Sequence, residues 1–512
     1  MLFRSQQTVQ ADDLLAQHKK GFDDLAWLGG VWLLQAFQQM GCFRYALEDY
    51  ARDQLKTRVR LIDDYRQLYE ALLDILKTAG YIVLEGDRVR STARVSQKTD
   101  RHSLDYWVDK HPELAANFRL LWTCLENIVD ILQGGITATD VIFPNSSMAL
   151  VEKIYQENAI ADYYNRLVVD EVVACVRERL TALPLREKLQ VLEIGAGTGG
   201  TSAALLAALT PYQERLHYDY TDLSIKFVQY GRQHYGHHTF ADFQILDIER
   251  DVKTQGFAIQ QADVLVATNV LHATRILNTT LKNAKSLLRK GGKLIINEAV
   301  ETHVFSTLTF GLLKGWWLAE DPHKRLPGSP LLSVPMWQGV LREEGFVSVR
   351  AAAPVIESGV SQNVLIAESD GQIAAPGPDP LHTVAMAANS PKFADVTAGK
   401  GEKQNAVAQK LRRIVAAVIE LAPDAVNPDS AYVDMGVDSI LAIEIISQIN
   451  REFGITLRTT ALFDHATINR LAAHIVARHG NAIELEDELL QVFQRLHSGE
   501  LNVQAAHALL GV

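Results

Sequence analysis

The sequence predicts an α/β protein built on a mainly parallel sheet that helices cover on both faces. Its central stretch is an apolar run from Leu189 to Ile194, which breaks into a glycine cluster and is followed by an amphipathic helical pattern at 201–209. Glycines are required where a backbone must turn tightly and approach a ligand closely. Strand and helix patterns then alternate as far as Glu368, which is typical of a parallel sheet.

Seven strands are predicted in this region, and helical patterns separate the first five. Each is a short, mostly apolar run, as expected for strands buried inside a sheet. The predicted strands are Leu189–Ile194, Leu216–Thr221, Phe243–Leu246, Val264–Ala267, Lys293–Asn297, Val347–Arg350 and Val364–Glu368.

Composition limits the classes of function. A length of 512 residues predicts about three domains. The hydrophobic content of 47% and charged content of 22% are those of a soluble globular protein, and the net charge of −11 argues against bulk nucleic-acid binding. Cys42, Cys124 and Cys175 are widely spaced, and no apolar stretch approaches about 18 residues. We therefore expect a soluble cytoplasmic protein without disulfides and without a membrane anchor.

The glycine cluster is ambiguous on its own, because Gly195, Gly197 and Gly200 also satisfy the G-x-G-x-x-G pattern of dinucleotide-binding folds. Two features favour another cofactor. Glu193 stands where a dinucleotide-binding strand is normally apolar, and the following helix begins without a basic residue for a pyrophosphate. The stretch E-I-G-A-G-T-G-G resembles motif I of class I S-adenosylmethionine (SAM) methyltransferases. The resemblance implies a Rossmann-like sheet of seven strands, the seventh antiparallel, and SAM as the cofactor.

Residues 1–145 are predicted to form a mainly helical N-terminal subdomain. Apolar residues recur at helical spacing up to Met40, where Gly41 is the expected stop, and a second helical run covers Tyr65 to Lys77. A strand–turn–strand pattern follows at 81–90. This order suggests a winged-helix-like unit, which could bind DNA or serve as a lid or docking domain. The absence of a Lys/Arg stripe favours the lid or docking role.

Further cofactor contacts are expected at the ends of the next strands. A carboxylate at the end of the second strand should accept the ribose hydroxyls, and Asp222 stands there, with Asp219 as the less favoured alternative. Glu193 is expected to order the glycine loop and reach the amino-acid head of SAM. Asp247–Ile248 matches the acidic–apolar pair that contacts adenine in the family, although Asp247 could instead cap a helix. The implied cofactor-binding set is Glu193, Gly195, Ala196, Gly197, Gly199, Asp222, Leu223, Asp247, Ile248 and Asn269.

The fourth predicted strand ends in N-V-L-H-A-T, at residues 269–274, which resembles the motif of C-methyltransferase domains in polyketide synthases. His272 is thereby placed at the carboxyl end of a strand, where open α/β sheets bind ligands, and imidazole is a suitable general base at neutral pH. Glu298, after the fifth strand, would hold the imidazole tautomer and stabilise the imidazolium. The family uses such a His–Glu pair, and the sequence shows no metal-ligand spacing.

Other segments follow the same family. Phe143–Ser147 and the helix after it resemble the lead-in that closes over the active site, although tyrosines on a helix are more often packing residues. Gly311–Leu318 and Ser329–Leu332, with Trp337, are expected to form an apolar wall around the acyl chain or, equally, to be ordinary core. The candidate substrate contacts are Tyr155, Tyr164, Trp316 and Trp317.

A change of composition marks the last part of the chain. Residues 369–403 are predicted as a flexible linker and 404–480 as a compact helical domain. Gly436–Ile440, at a helix start, resembles the phosphopantetheine site of acyl carrier proteins, so Ser439 is the expected attachment residue; alternatively, it only caps the helix. Residues 481–512 are predicted as an acidic and then amphipathic tail.

Together the resemblances imply a methyltransferase core at 146–368 and an acyl carrier domain, either as a didomain or as a fragment of a modular polyketide synthase. The Asp-Ser-Ile variant and the tail suggest a synthase served by a separate acyltransferase. The expected reaction is SAM-dependent C-methylation of the α-carbon of a carrier-bound β-ketoacyl thioester. Alternatives are O-methylation, a catalytically silent scaffold, and an NAD(P) reductase. Expected partners are ketosynthase and ketoreductase domains and a phosphopantetheinyl transferase, with no nucleic acid and no membrane.

Overall fold

In a computed structural model, the chain forms two compact units, of which Met1–Leu223 and Phe227–Ala375 make one, while the other contains Pro376–Val512. The predicted tail and most of the predicted linker lie outside the residues that the structure describes. The described residues are 2–97, 102–144, 149–155, 159–352, 362–373, 398–419, 421–432, 435, 437, 439–457 and 461–478.

The N-terminal part of the first unit is mainly helical, as predicted. A small antiparallel sheet accompanies the helices and consists of β1 (Asp49–Ala51), β2 (Ile82–Glu85) and β3 (Arg88–Ser91), in the order β1-β3-β2. The predicted hairpin is confirmed as β2–β3. The helices are α1 (Leu2–Gln39), α2 (Arg52–Val59), α3 (Arg66–Thr78), α4 (Leu104–Lys110), α5 (Ala115–Glu126), α6 (Ile128–Leu132), α7 (Ala138–Ile142), α8 (Ala149–Tyr155) and α9 (Ala159–Ala182).

The main sheet contains all seven predicted strands, in the order β6-β5-β4-β7-β8-β10-β9. The last strand in the chain, β10, pairs antiparallel with both neighbours, whereas β4 to β8 are parallel. The strand order reverses between β4 and β7, and ligands of open α/β sheets bind at such a reversal. The strands are β4 (Leu189–Ile194), β5 (Leu216–Asp222), β6 (Ala241–Ile245), β7 (Ala262–Thr268), β8 (Leu288–Ala299), β9 (Phe346–Ala351) and β10 (Gln362–Ser369).

Helices cover both faces of this sheet. Apolar residues of α9 and α10 pack with Val191 on one face, and those of α12 and α14 pack with Leu192 on the other, since neighbouring strand residues point to opposite sides. The remaining helices of the unit are α10 (Ser202–Leu209), α11 (Ile225–Tyr235), α12 (Leu277–Leu287), α13 (Val304–Leu308) and α14 (Val334–Glu343).

The N-terminal helices and the sheet region share a core. The leucines on the predicted apolar face of α3 are fully buried there. Phe305 and Leu308 of α13, which follows β8 closely, lie in the same cluster. Gly29 of α1 permits this packing, because a Cβ at that position would lie 2.8 Å from the Leu308 side chain. The helical part is therefore continuous with the rest of the first unit.

The second unit contains α15 (Ala398–Val418), α16 (Ser439–Phe453), α17 (Ala461–Asp464) and a helix at 468–478 around one apolar core. The helix α15 begins at Ala398, ahead of the predicted start at Gln404. Gly399 and Gly401 are poor helix formers, but the Lys, Glu and Gln residues around them favour the helix. The first helix of the second unit therefore begins within the stretch predicted as linker, while the domain boundary at residue 403 stays a prediction.

None of the described helices combines the length and the apolar character that crossing a bilayer requires.

Trp337 tests the packing of the sheet against α14. Its side chain is fully buried in the core between α14 and the sheet, so the Trp337→Ala change should lower the free energy of unfolding by about 3–5 kcal/mol. Val347, which is 44% exposed on β9, is the control. Val347→Ala should change the free energy of unfolding by about 0.5 kcal/mol or less. Urea unfolding of both variants measures this difference. Equal losses in the two variants would contradict the packing described here.

Candidate active site at the carboxyl ends of the parallel strands

The glycine loop connects β4 to α10 and has an unusual backbone. Gly195, Gly197 and Gly199 all have positive φ, at 66°, 58° and 77°. A Cβ on Gly195 would lie 2.4 Å from the Val270 side chain, and one on Gly199 would lie 2.4 Å from Tyr235. The space beside Gly197 differs, because no atom lies within 4 Å of the position of its missing Cβ. The loop is therefore packed at both ends and open in the middle.

Asp222, the last residue of β5, contacts this loop. Its Oδ2 accepts a hydrogen bond of 2.9 Å from the Gly197 backbone N–H, and the residue is buried. Leu223, which follows it, is largely exposed. Asp219 lies further back in β5, where its Oδ1 accepts from Gln244 and contacts His217. The structure thus brings the favoured carboxylate, and not the alternative one, to the loop.

Glu193 lies beneath the loop and is fully buried. Its Oε2 accepts hydrogen bonds of 2.5 Å from the hydroxyls of Ser202, the first residue of α10, and Tyr218 of β5. Burial raises the pKa of Glu193 to about 7, and the two hydrogen bonds only partly oppose this effect. The side chain thus ties β4 to the start of α10, while its expected reach to the head of SAM stays a prediction.

Asp247 and Ile248 follow β6, and their side chains have different environments. Asp247 Oδ1 accepts from the Glu249 backbone N–H at 2.9 Å, so the carboxylate caps a turn instead of a helix. Gln255 binds both the N–H and the carbonyl of Asp247 and holds its backbone in place. Ile248 is buried in the apolar core next to Leu246. The adenine contact of this pair stays a prediction.

His272 and Glu298 are brought together by the parallel pairing of β7 with β8. His272 Nδ1 lies 2.5 Å from Glu298 Oε2, and the Glu298 side chain is fully buried while that of His272 is 13% exposed. The other carboxylate oxygen, Oε1, accepts from the N–H groups of Val270 and Leu271 at 3.1 and 2.8 Å. One buried carboxylate therefore holds both the imidazole and the start of the turn that carries it.

Asn269 shapes the exit from β7. It adopts φ 53°, a left-handed conformation that asparagine tolerates better than most residues. Its backbone N–H donates to the carbonyl of Asn297 at 2.8 Å, and its Oδ1 accepts from the Ala299 N–H at 3.1 Å. These bonds extend the contact between β7 and β8 on both sides of Glu298.

Asp321 and Arg325 were not predicted from the sequence. The guanidinium of Arg325 is fully buried, pairs with Asp321 at 2.6 Å and donates to backbone carbonyls of the turn that begins at His272. The only available signal was an Asp and an Arg spaced four residues apart in a segment that otherwise resembles an apolar wall.

The predicted aromatic contacts have different environments. Trp337 belongs to the core of the sheet, so the structural alternative is correct for this residue. Trp317 donates its Nε1–H to the Gly311 carbonyl at 2.8 Å and packs against the N-terminal helical core. Tyr164 is fully buried in the core around α9, and burial raises the pKa of its hydroxyl. The Trp316 indole N–H is buried without a hydrogen-bond partner among the described residues, and the side chain of Tyr155 lies outside them.

Glu193 makes the stability of the first unit depend on pH. Its folded-state pKa of about 7 lies above the ordinary value of 4.5, so the folded protein binds the proton more tightly than the unfolded chain. The free energy of unfolding of the native protein, relative to Glu193→Gln, should therefore fall as pH rises from about 4.5 to about 7. At about 1.4 kcal/mol per pH unit, the expected total decrease in this free energy of unfolding is about 3 kcal/mol.

Urea unfolding at several pH values measures this difference. The Gln variant cannot titrate and keeps an oxygen acceptor for Ser202 and Tyr218, so it is the matched reference. A difference between the two proteins that is independent of pH would show that the carboxyl group titrates normally.

Comparisons with known proteins agree with this geometry. A family model for a methyltransferase domain matches residues 192–294, and one for the phosphopantetheine attachment site matches residues 409–475. The DszA carbon methyltransferase is 41% identical, with a TM-score of 0.66, over 70% of this chain and 93% of that one. The CurJ carbon methyltransferase is 29% identical, with a TM-score of 0.61, over 71% of this chain and 98% of that one.

Polyketide synthase PksR of Bacillus subtilis (strain 168) is 37% identical over 377 residues. The match covers 72% of this chain but spans only 14% of the length of that synthase. These matches confirm the class I methyltransferase fold, the carrier domain and the cofactors SAM and phosphopantetheine that the resemblance implied. The chain belongs to the SAM-dependent carbon methyltransferases of polyketide synthases and carries a phosphopantetheine attachment domain after the methyltransferase.

Proposed function

We propose that the enzyme methylates the α-carbon of a β-ketoacyl thioester that is tethered to a phosphopantetheine arm. The observation that carries this proposal is the 2.5 Å contact between His272 Nδ1 and Glu298 Oε2 at the ends of β7 and β8. An α-carbon between two carbonyls has an unusually acidic proton for a C–H bond, so one positioned base suffices to remove it.

The pairing with Glu298 decides which imidazole nitrogen acts as the base. An ionised carboxylate only accepts hydrogen bonds, so Nδ1 carries a proton toward Glu298 and Nε2 has the free lone pair. Nε2 then takes the α-proton, and the resulting imidazolium lies against a fully buried carboxylate that stabilises its charge. The backbone N–H groups of Val270 and Leu271 keep that carboxylate in place during the transfer.

The glycine loop supports the proposal that SAM is held next to this pair. The open space at Gly197 is a cradle that a Cβ would fill, and the carboxylate of Asp222 lies at the same loop, at the end of a strand where an acidic residue accepts ribose hydroxyls in related folds. We assign the cofactor to these residues together with Glu193, Gly195, Ala196, Gly199, Leu223, Asp247, Ile248 and Asn269. When bound, SAM supplies the electrophilic methyl group.

The carrier domain supports a tethered substrate. Ser439 is the first residue of α16, a helix of 15 residues, and lies within the matched range 409–475. The positive end of a helix favours a negatively charged phosphodiester at this position. We propose Ser439 as the site that a phosphopantetheinyl transferase modifies, and ketosynthase and ketoreductase domains of a larger synthase as the partners that supply and consume the acyl chain.

The pair is tested on the full chain with acetoacetyl-phosphopantetheine loaded on Ser439. After SAM is added, intact-protein mass spectrometry follows the gain of one methyl group, and fragmentation locates it. His272→Ala should slow the gain by about 10²- to 10⁴-fold, because a general base contributes rate factors of this size. Glu298→Gln should slow it too, since an amide stabilises an imidazolium less well than a carboxylate.

His234, an exposed histidine on α11, provides the control, and His234→Ala should methylate at the native rate. Native activity in His272→Ala would eliminate the proposed base. A methyl group found on oxygen would support the O-methyltransferase alternative. Absence of methylation in the native protein, despite SAM binding, would contradict this substrate class.

Gly197 tests the position of the cofactor. Gly197→Ala places a methyl group in the open space of the loop, so we expect SAM to bind at least about tenfold more weakly, a change of about 1.4 kcal/mol. Gly86 in the β2–β3 turn has the same φ of 58° and equally open surroundings. Gly86→Ala should therefore cost similar stability and leave SAM affinity unchanged, as measured by titration calorimetry. Equal SAM affinities in the two variants would place the cofactor elsewhere.

A further inference from the structure

Arg325 contacts the turn of His272 through backbone carbonyls, whereas Glu298 contacts it through backbone N–H groups. Its Nη1 donates to the carbonyl of His272, and its Nη2 donates to the carbonyls of Thr274 and Arg275 at 2.6 and 3.4 Å. A second bond from Nη1 reaches the Pro330 carbonyl at 2.9 Å, and Nε donates to Asp321 Oδ1 at 2.6 Å. These five bonds use all five N–H donors of the guanidinium.

The carboxylate of Asp321 extends this arrangement. Its Oδ1 accepts from Arg325, and its Oδ2 accepts from the backbone N–H of Leu277, the first residue of α12, at 2.8 Å. The side chains of Arg325 and Asp321 are 0% and 8% exposed. The pair therefore fixes the segment from the His272 carbonyl to the start of α12 from within the protein.

The two ends of the turn thus meet opposite charges. Glu298 accepts hydrogen bonds from the N–H groups of Val270 and Leu271 at the start of the turn. Arg325 donates hydrogen bonds to the carbonyls at its end. Backbone N–H groups carry partial positive charge and carbonyls partial negative charge, so each ionic group meets the complementary backbone dipoles. A lysine in place of Arg325 offers a single point charge with three donors and cannot satisfy the same set of carbonyls.

We propose that Arg325 is a positioning residue for the methyl transfer, which holds the backbone of His272 so that the imidazole stays aligned with Glu298 and the α-proton. This inference rests on the proposed role of His272 as the base. Arg325 reaches the reaction only through the His272 turn, so its loss should slow proton removal without weakening cofactor binding.

The test separates proton removal from cofactor binding. The rate of proton removal is read in heavy water without SAM, as uptake of deuterium at the α-carbon of the acetoacetyl chain loaded on Ser439. Arg325→Lys should slow this exchange and the single-turnover methylation by about tenfold to a hundredfold, as a small misplacement of a catalytic group does. The dissociation constant for SAM should stay within about twofold of the native value.

Arg275 on the same turn provides the matched control. Its side chain is 54% exposed and pairs with surface carboxylates, so Arg275→Lys should exchange at the native rate. Asp321→Asn is the second variant, which retains Arg325 but weakens its anchor, and it should show a smaller loss. If Arg325→Lys does not fold, as judged by thermal unfolding, the decision rests on Asp321→Asn.

Two results overturn the inference. One is native deuterium uptake in a folded Arg325→Lys, or in Asp321→Asn where that variant alone folds. The other is a loss of SAM affinity that accounts for the whole loss of methylation rate. Both are distinct from failure of the proposed function, in which His272→Ala itself exchanges deuterium at the native rate.

Discussion

The arrangement at the edge of the sheet depends on one buried negative charge. Glu298 is fully buried, and a carboxylate in such a position is costly unless hydrogen-bond donors surround it. The protein provides one imidazole and two backbone N–H groups. Those two N–H groups can face the carboxylate only if the chain turns sharply after β7, which is where Asn269 takes its left-handed conformation. The position of the imidazole is thus a consequence of satisfying the carboxylate.

Glu298 and Glu193, two buried acids on strands of the same sheet, have different kinds of hydrogen-bond donors. Glu298 accepts hydrogen bonds from backbone N–H groups, whose positions the fold determines. The donors to the Glu193 carboxylate among the described residues are the hydroxyls of Ser202 and Tyr218. Hydroxyl groups can rotate and can accept as well as donate, so they accommodate both the charged and the neutral form of a carboxyl group. The two acids also differ in position, since Glu298 contacts a histidine at the strand ends and Glu193 lies beneath the glycine loop.

Much of the fold was predictable because each strand of the sheet is a short apolar run with helices between the first five. The start of β8 could not be predicted. The strand begins at Leu288, but Lys290, Gly291 and Gly292 interrupt its apolar pattern. His272 and Glu298 could be predicted because each follows an apolar run of the sequence and the family resemblance implies both. Arg325 could not be predicted, because four of its five hydrogen bonds go to backbone carbonyls, which every residue has, and one of these carbonyls lies 53 residues away.

The shared core of α1 and α13 determines what can be exchanged between synthases. A fragment that begins at Ala159 would retain the sheet, the glycine loop, His272 and Glu298, but it would uncover Phe305, Leu308 and Leu312. That apolar surface lies a few residues after Glu298, so the strand end that carries the acid would lose its support. A graft designed from the Rossmann-like region alone therefore omits the N-terminal helices that complete this shared core.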